Sequence, residues 1–129
     1  MKALIVDDCM IARELLAVAV ERYATIDQAE NGEQALQMLE QALGQSEPYD
    51  LICLDLNMPG MGGHETLRGI RTLEEQLGSD TRATVFMITA SSSPDDMMEA
   101  LLSGSCDDYL TKPVMHKTLI ELLQKHNLV

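Results

Sequence analysis

The sequence predicts an α/β domain in which five short strands alternate with five helices to form a parallel sheet covered on both faces. Three observations carry this. Apolar runs recur at Ala3–Val6, Leu51–Leu54 and Val85–Ile88, continuous rather than alternating, as strands buried on both faces read. Between them lie longer segments whose apolar residues recur at helical spacing. Turn chemistry separates the two kinds of segment, and strict alternation implies right-handed crossovers that place helices on both faces.

Taken in order, Ala3–Val6 is the first strand and ends in Asp7-Asp8. A helix over Met10–Arg22 follows, with Ile11, Leu15, Val18 and Ala19 along one face. Thr25–Ala29 is a weak strand, low in β-branched apolar residues. Asn31-Gly32 precedes a helix over Glu33–Leu43, with Ala35, Leu36, Leu39 and Leu43 at helical spacing. Gly44–Pro48 is a polar loop into the strand Leu51–Leu54, which ends in Asp55. Asn57-Met58-Pro59-Gly60 then forces a turn. A helix runs from about His64 to Leu77, carrying Leu67, Ile70, Leu73 and Leu77, with Gly78 as its C-cap. Val85–Ile88 is a buried strand ending at Thr89. Pro94 and Asp95 suit the start of a helix that stops at Gly104. Asp108–Thr111 is a last strand before Lys112-Pro113. Met115, Leu119, Leu122 and Leu123 place a closing helix to about His126.

At 129 residues the sequence reads as one domain, residues 1–129, with no linker, repeat or second domain. Apolar residues make up 46% and charged residues 23%, ordinary for a globular chain. A net charge of -12 argues against nonspecific binding to nucleic acid or anionic membrane. The N-terminal apolar stretch is too short for a signal peptide, and no run approaches the ~18 residues of a membrane span. A cytoplasmic location is therefore expected. Cys9, Cys53 and Cys106 lack C-x-x-C spacing and read as reduced core thiols. His64, His116 and His126 share no ligand spacing and read as surface residues.

Four apolar runs end in polar residues of a coherent kind: Asp7-Asp8, Asp55, Thr89 and Lys112. In a parallel sheet these endings share one edge, and in open α/β sheets that edge is where ligands bind. With the strand order 2-1-3-4-5 the four converge. Three carboxylates together repel unless a cation sits among them. A hard cation of this kind is Mg²⁺, held by carboxylates, phosphate oxygens and water. Thr89 offers a hydroxyl and Lys112 a point charge, both suited to phosphoryl oxygens. The chemistry implied is phosphoryl transfer, with a carboxylate as nucleophile. Each residue also has a simpler reading. Asp7 or Asp8 could cap the first helix, Thr89 could be turn chemistry, and Lys112 a solvated lysine. Joint occurrence at successive strand ends favours the site.

The stretches LIVDD at Leu4–Asp8, ENGEQAL at Glu30–Leu36, DLICLDLNMPGMGG at Asp50–Gly63, MITA at Met87–Ala90 and DDYLTKP at Asp107–Pro113 carry a family resemblance. The chain resembles the receiver domain of two-component response regulators over nearly its whole length. The resemblance implies a doubly wound, flavodoxin-like (βα)5 sheet of order 2-1-3-4-5, of the stand-alone chemotaxis-regulator type. It implies Asp55 as acceptor of a phosphoryl group from the phosphohistidine of a sensor histidine kinase or phosphotransfer protein. Asp8, Asp55 and the main-chain carbonyl of Asn57 would hold Mg²⁺ directly, and Asp7 through a water. Thr89 and Lys112 would contact the phosphoryl group, Tyr109 would be the switch aromatic, and Lys112–Pro113 would be a cis peptide bond.

Three departures from the family pattern stand out. Gly62 replaces the usual Asp, which should loosen the start of the third helix. One extra residue at Ser105-Cys106 should bulge the approach to the last strand, and the second strand is weak. A Mg²⁺-dependent aspartyl-nucleophile phosphohydrolase of the haloacid-dehalogenase type is the alternative, but it needs D-x-D at the end of the first strand. A receiver-like adaptor that is never phosphorylated usually loses an acidic or Lys position, and all are present here. Without an output domain the signal must leave through a protein-binding face. The expected face combines the fourth helix, with Met97, Met98, Leu101 and Leu102, the last strand and the closing helix.

Overall fold

The computed structural model describes residues 1–78, 80, 82–89 and 106–129. The strands are β1 (Lys2–Val6), β2 (Thr25–Ala29), β3 (Leu51–Asp55), β4 (Thr84–Thr89) and β5 (Asp108–Thr111). The described helices are α1 (Met10–Val20), α2 (Gly32–Gly44), α3 (Gly63–Gln76) and α4 (His116–Lys125), the closing helix of the sequence reading. The helix expected between Pro94 and Gly104, with its four apolar residues and Ser105, lies outside the described residues.

All five strands are parallel in one sheet of order β2-β1-β3-β4-β5. Alternate side chains of the inner strands feed two separate cores. Leu4, Val6, Ile52, Leu54, Val85 and Met87 pack with Ala35 and Leu39 of α2 and Leu67 and Ile70 of α3. Ala3, Ile5, Cys53, Phe86 and Ile88 pack with Leu16 and Val20 of α1 and Leu119 and Leu123 of α4. The continuous apolar runs thus have a direct cause, since each inner strand is covered on both faces. The weak strand β2 is one edge of the sheet, and within it only Ala29 is buried.

One helical face is corrected. Ile11, Leu15 and Val18 are 68%, 70% and 62% exposed, and the buried side of α1 is Arg13, Leu16, Ala17 and Val20. The helix is apolar nearly all round, so two stripes have helical spacing and periodicity does not choose between them. Leu77 is half exposed because α3 ends at Gln76, and Gly78 takes a left-handed conformation (φ 63°) just beyond. Cys9 is exposed rather than a core thiol, while Cys53 and Cys106 are buried. His126 is not simply a surface residue: its ring lies 5.4 Å from that of Phe86, and its Nε2 lies 2.9 Å from Asp108. Among the described residues, no helix is long and apolar enough to cross a membrane.

The approach to β5, where one extra residue was expected to make a bulge, lies partly outside the described residues; within them, Asp107 joins β4 just before β5 begins. Its N–H donates to Val85 O at 2.9 Å, and its carboxylate accepts from Val85 N at 2.9 Å and Arg71 at 3.0 Å. Arg71 also reaches Glu74 and Ala83 O, both at 2.8 Å. This network ties α3 to the starts of β4 and β5, at the sheet edge opposite the acidic residues.

Candidate functional site

Backbone bonds at the strand ends fix the site before any side chain acts. Asp7 N donates to Ala29 O at 3.2 Å, Leu56 N to Ile88 O at 2.7 Å and Lys112 N to Thr89 O at 2.7 Å. Each strand therefore stays in register to the residue that carries the polar group. Gly63 starts α3 pressed against this edge. A Cβ there would stand 2.7 Å from Asp55 O and 2.5 Å from Leu56 Cα, closer than such atoms come.

Asp7, Asp8 and Asp55 present carboxylate oxygens that all lie within 4.8 Å of one another. Asp7 and Asp55 are buried and Asp8 is exposed. Lys112 Nζ lies 3.1 Å from Asp7 Oδ2 and 3.6 Å from Asp55 Oδ2. Thr89 is fully buried at the end of β4. Asn57 joins the group twice: its N–H donates to Asp55 Oδ1 at 3.2 Å, and its side-chain amide donates to Thr89 Oγ1 at 3.0 Å. The Lys112–Pro113 peptide bond is cis. Tyr109 does not join the group. It is buried in the core shared with α2 and α3.

The capping alternative for the aspartates is removed. Cys9 is the N-cap of α1, without a side-chain cap bond, and Asp7 Oδ1 instead accepts from Cys9 N at 2.9 Å. Sequence reading missed Arg13. It is buried, and its guanidinium donates to Asp7 O at 2.8 Å and to Gln28 at 3.2 Å, anchoring the loop that carries Asp7 and Asp8. Only helical phase could have found it, since Arg13 falls on the buried stripe of α1.

The electrostatics follow from burial and crowding. Burial and then the neighbouring charge of Asp7 raise the Asp55 carboxyl to about 6, against the opposing pull of the Asn57 N–H and Lys112. Burial works to lower the Lys112 ammonium, but its bond to Asp7 and the charges of Asp55 and Asp7 outweigh it, and the net shift is upward. Among the described residues one lysine, shared by Asp7 and Asp55, faces three carboxylates, so the cluster carries an excess of negative charge. Hard oxygen donors with an excess of negative charge fit a divalent cation of the Mg²⁺ kind. Beside them a cleft of about 360 Å³ opens between α1 and residues 112–116, lined by Leu15, Leu16, Ile88 and Pro113 together with Asp7 and Lys112.

The model of the response regulator receiver domain family matches residues 3–124. The chain belongs to that family. Among its relatives, the two-component response regulator ORR41 of Oryza sativa subsp. japonica is 32% identical over 130 residues, covering 98% of this chain and 94% of that protein. The transcriptional regulatory protein ResD of Bacillus subtilis is 38% identical over 122 residues, 92% of this chain but 45% of that protein. The solved structure of the Vibrio cholerae chemotaxis protein CheY4 is 28% identical, with a TM-score of 0.76 and 96% of both chains covered. As a receiver, the domain is a two-component signalling module rather than a conventional metabolic enzyme.

Proposed function

We propose that this receiver takes a phosphoryl group onto Asp55 from the phosphohistidine of a sensor kinase or phosphotransfer protein. It then relays the signal by a conformational change to a protein partner. The observation that supports this is the convergence of three carboxylates within 4.8 Å, with Lys112 reaching Asp55. In the transfer, Asp55 attacks phosphorus, the N–P bond to histidine breaks, and an aspartyl phosphate forms. By the family resemblance, Asp8, Asp55 and the Asn57 carbonyl would hold Mg²⁺ directly and Asp7 through a water, and the clustered carboxylates support that set. When bound, Mg²⁺ supplies the positive charge that lets an anionic donor approach this cluster. Lys112 turns from Asp55 to the phosphoryl oxygens, and Thr89 donates its hydroxyl to them. The donor reaches Asp55 over the rim of α1 and residues 112–116, where Met10, Ile11, Leu15 and Met115 are exposed. Output through the face that includes β5 and α4, and a cytoplasmic site of action, belong to the same proposal.

Mixing the protein with a phosphorylated histidine phosphotransfer domain and Mg²⁺ tests it. Stoichiometric uptake, lost with chelator and in Asp55→Asn, is expected. Continuous release of phosphate from small phosphomonoesters, without stable uptake, would favour the phosphohydrolase reading instead.

A further inference from the structure

We propose that the side chain of Asn57 is a latch on the receiver's resting state, an inference that rests on the phosphoacceptor reading above. Asn57 touches both the acceptor and the hydroxyl beside it. Its N–H is held by Asp55 Oδ1 at 3.2 Å, and its side-chain amide donates to Thr89 Oγ1 at 3.0 Å. The second bond crosses from the loop after β3 to the end of β4, and so fixes Thr89 while no phosphoryl group is present.

A phosphoryl group on Asp55 places anionic oxygens within this pair. They draw the Thr89 O–H, because charge-assisted bonds are roughly twice as strong as neutral ones. Thr89 then moves onto the phosphoryl oxygens, its bond from the Asn57 amide is given up, and the exposed amide is left to water. A contact present in one state and absent from the other weights the equilibrium toward the first. The latch therefore holds the domain at rest until phosphorylation supplies a better acceptor. Asn57 is exposed, so removing its amide leaves the core intact, and a substituted side chain keeps the main-chain carbonyl expected to face the metal.

The test compares the parent with Asn57→Ala, Thr89→Val and the double variant, using beryllofluoride with Mg²⁺ as the phosphoryl mimic. In metal-free Asn57→Ala, the Thr89 methyl resonance should move toward its position in the mimic-bound parent. Mimic affinity should rise about two- to tenfold, the weight of one neutral hydrogen bond. In the Thr89→Val background, adding Asn57→Ala should change affinity by less than twofold, roughly the limit of additivity for uncoupled sites. An unmoved Thr89 resonance, or unchanged or weaker mimic binding by Asn57→Ala, overturns the latch and leaves the phosphoacceptor reading standing. Failure of the parent to bind the mimic overturns both.

Discussion

Replacing Asp55 by Asn should stabilise the metal-free protein, because the native carboxylate is ionised at a folding cost. Its pKa moves from 3.8 in the open chain to about 6 in the fold, through burial first and the Asp7 charge second. At about 1.4 kcal/mol per pH unit, the ceiling on that cost is about 3 kcal/mol. Screening by water and salt at the open side of the cluster reduces it to about 1–2 kcal/mol. The sign follows from proton linkage. Below about pH 4 both states hold the proton and the cost is absent. It grows as the pH rises toward about 6, where the folded state binds more protons than the unfolded one, and is complete above that. Urea unfolding in chelator should show Asp55→Asn more stable than the parent by about 1–2 kcal/mol at pH 8, with the gap closing near pH 4. Mg²⁺ at pH 8 should narrow the gap by stabilising the parent more than the variant. Equal or lower stability of Asp55→Asn at pH 8 in chelator would refute the reasoning.

Other perturbations probe the frame around the site. Asp107→Ala leaves Val85 N without its side-chain acceptor and removes one of the acceptors of Arg71, and should cost about 1–3 kcal/mol in urea unfolding; a loss below about 0.5 kcal/mol would show the network to be incidental. Gly62 caps α3 with no side-chain bond, and a Cβ there meets nothing within 4 Å. Gly62→Asp should therefore add about 0.5–1 kcal/mol from the cap and the helix dipole, and an unchanged melting temperature would count against this. At Asp108, burial acts to raise the carboxyl, but hydrogen bonds from His126, Lys125 and Tyr109 N outweigh it and hold it below the ordinary range. Its contribution is present above the usual carboxylate pKa and lost as acid protonates it. The stability difference between parent and Asp108→Asn should therefore shrink on acidification, and a difference independent of pH would contradict that assignment.

The parts of this fold legible in the sequence are those whose pattern has a single physical cause. A strand buried on both faces must be apolar throughout, so Leu51–Leu54 and Val85–Ile88 announce themselves. Asp55 and Thr89 then interrupt the pattern at the sheet edge. The phase of α1 was not legible, because Ile11–Leu15–Val18 and Leu16–Val20 are equally apolar and only the sheet decides between them. Arg13 and Asp107 were missed for a related reason. Their partners, Asp7 O and Val85 N, are backbone atoms, which leave no trace in side-chain pattern. The bond from Asn57 to Thr89 joins residues 32 apart in sequence, a pairing that strand order permits but composition does not mark.

The central claim is that Asp55, and neither aspartate of the Asp7-Asp8 pair, carries the phosphoryl group. Treating the protein with acetyl phosphate and Mg²⁺, then reducing the product with borohydride, converts a phosphorylated aspartate to homoserine in place. Peptide mapping should find homoserine at position 55 and nowhere else, with none formed when the metal is chelated. Homoserine at position 7 or 8, or labelling at position 55 that is indifferent to the metal, would contradict the account.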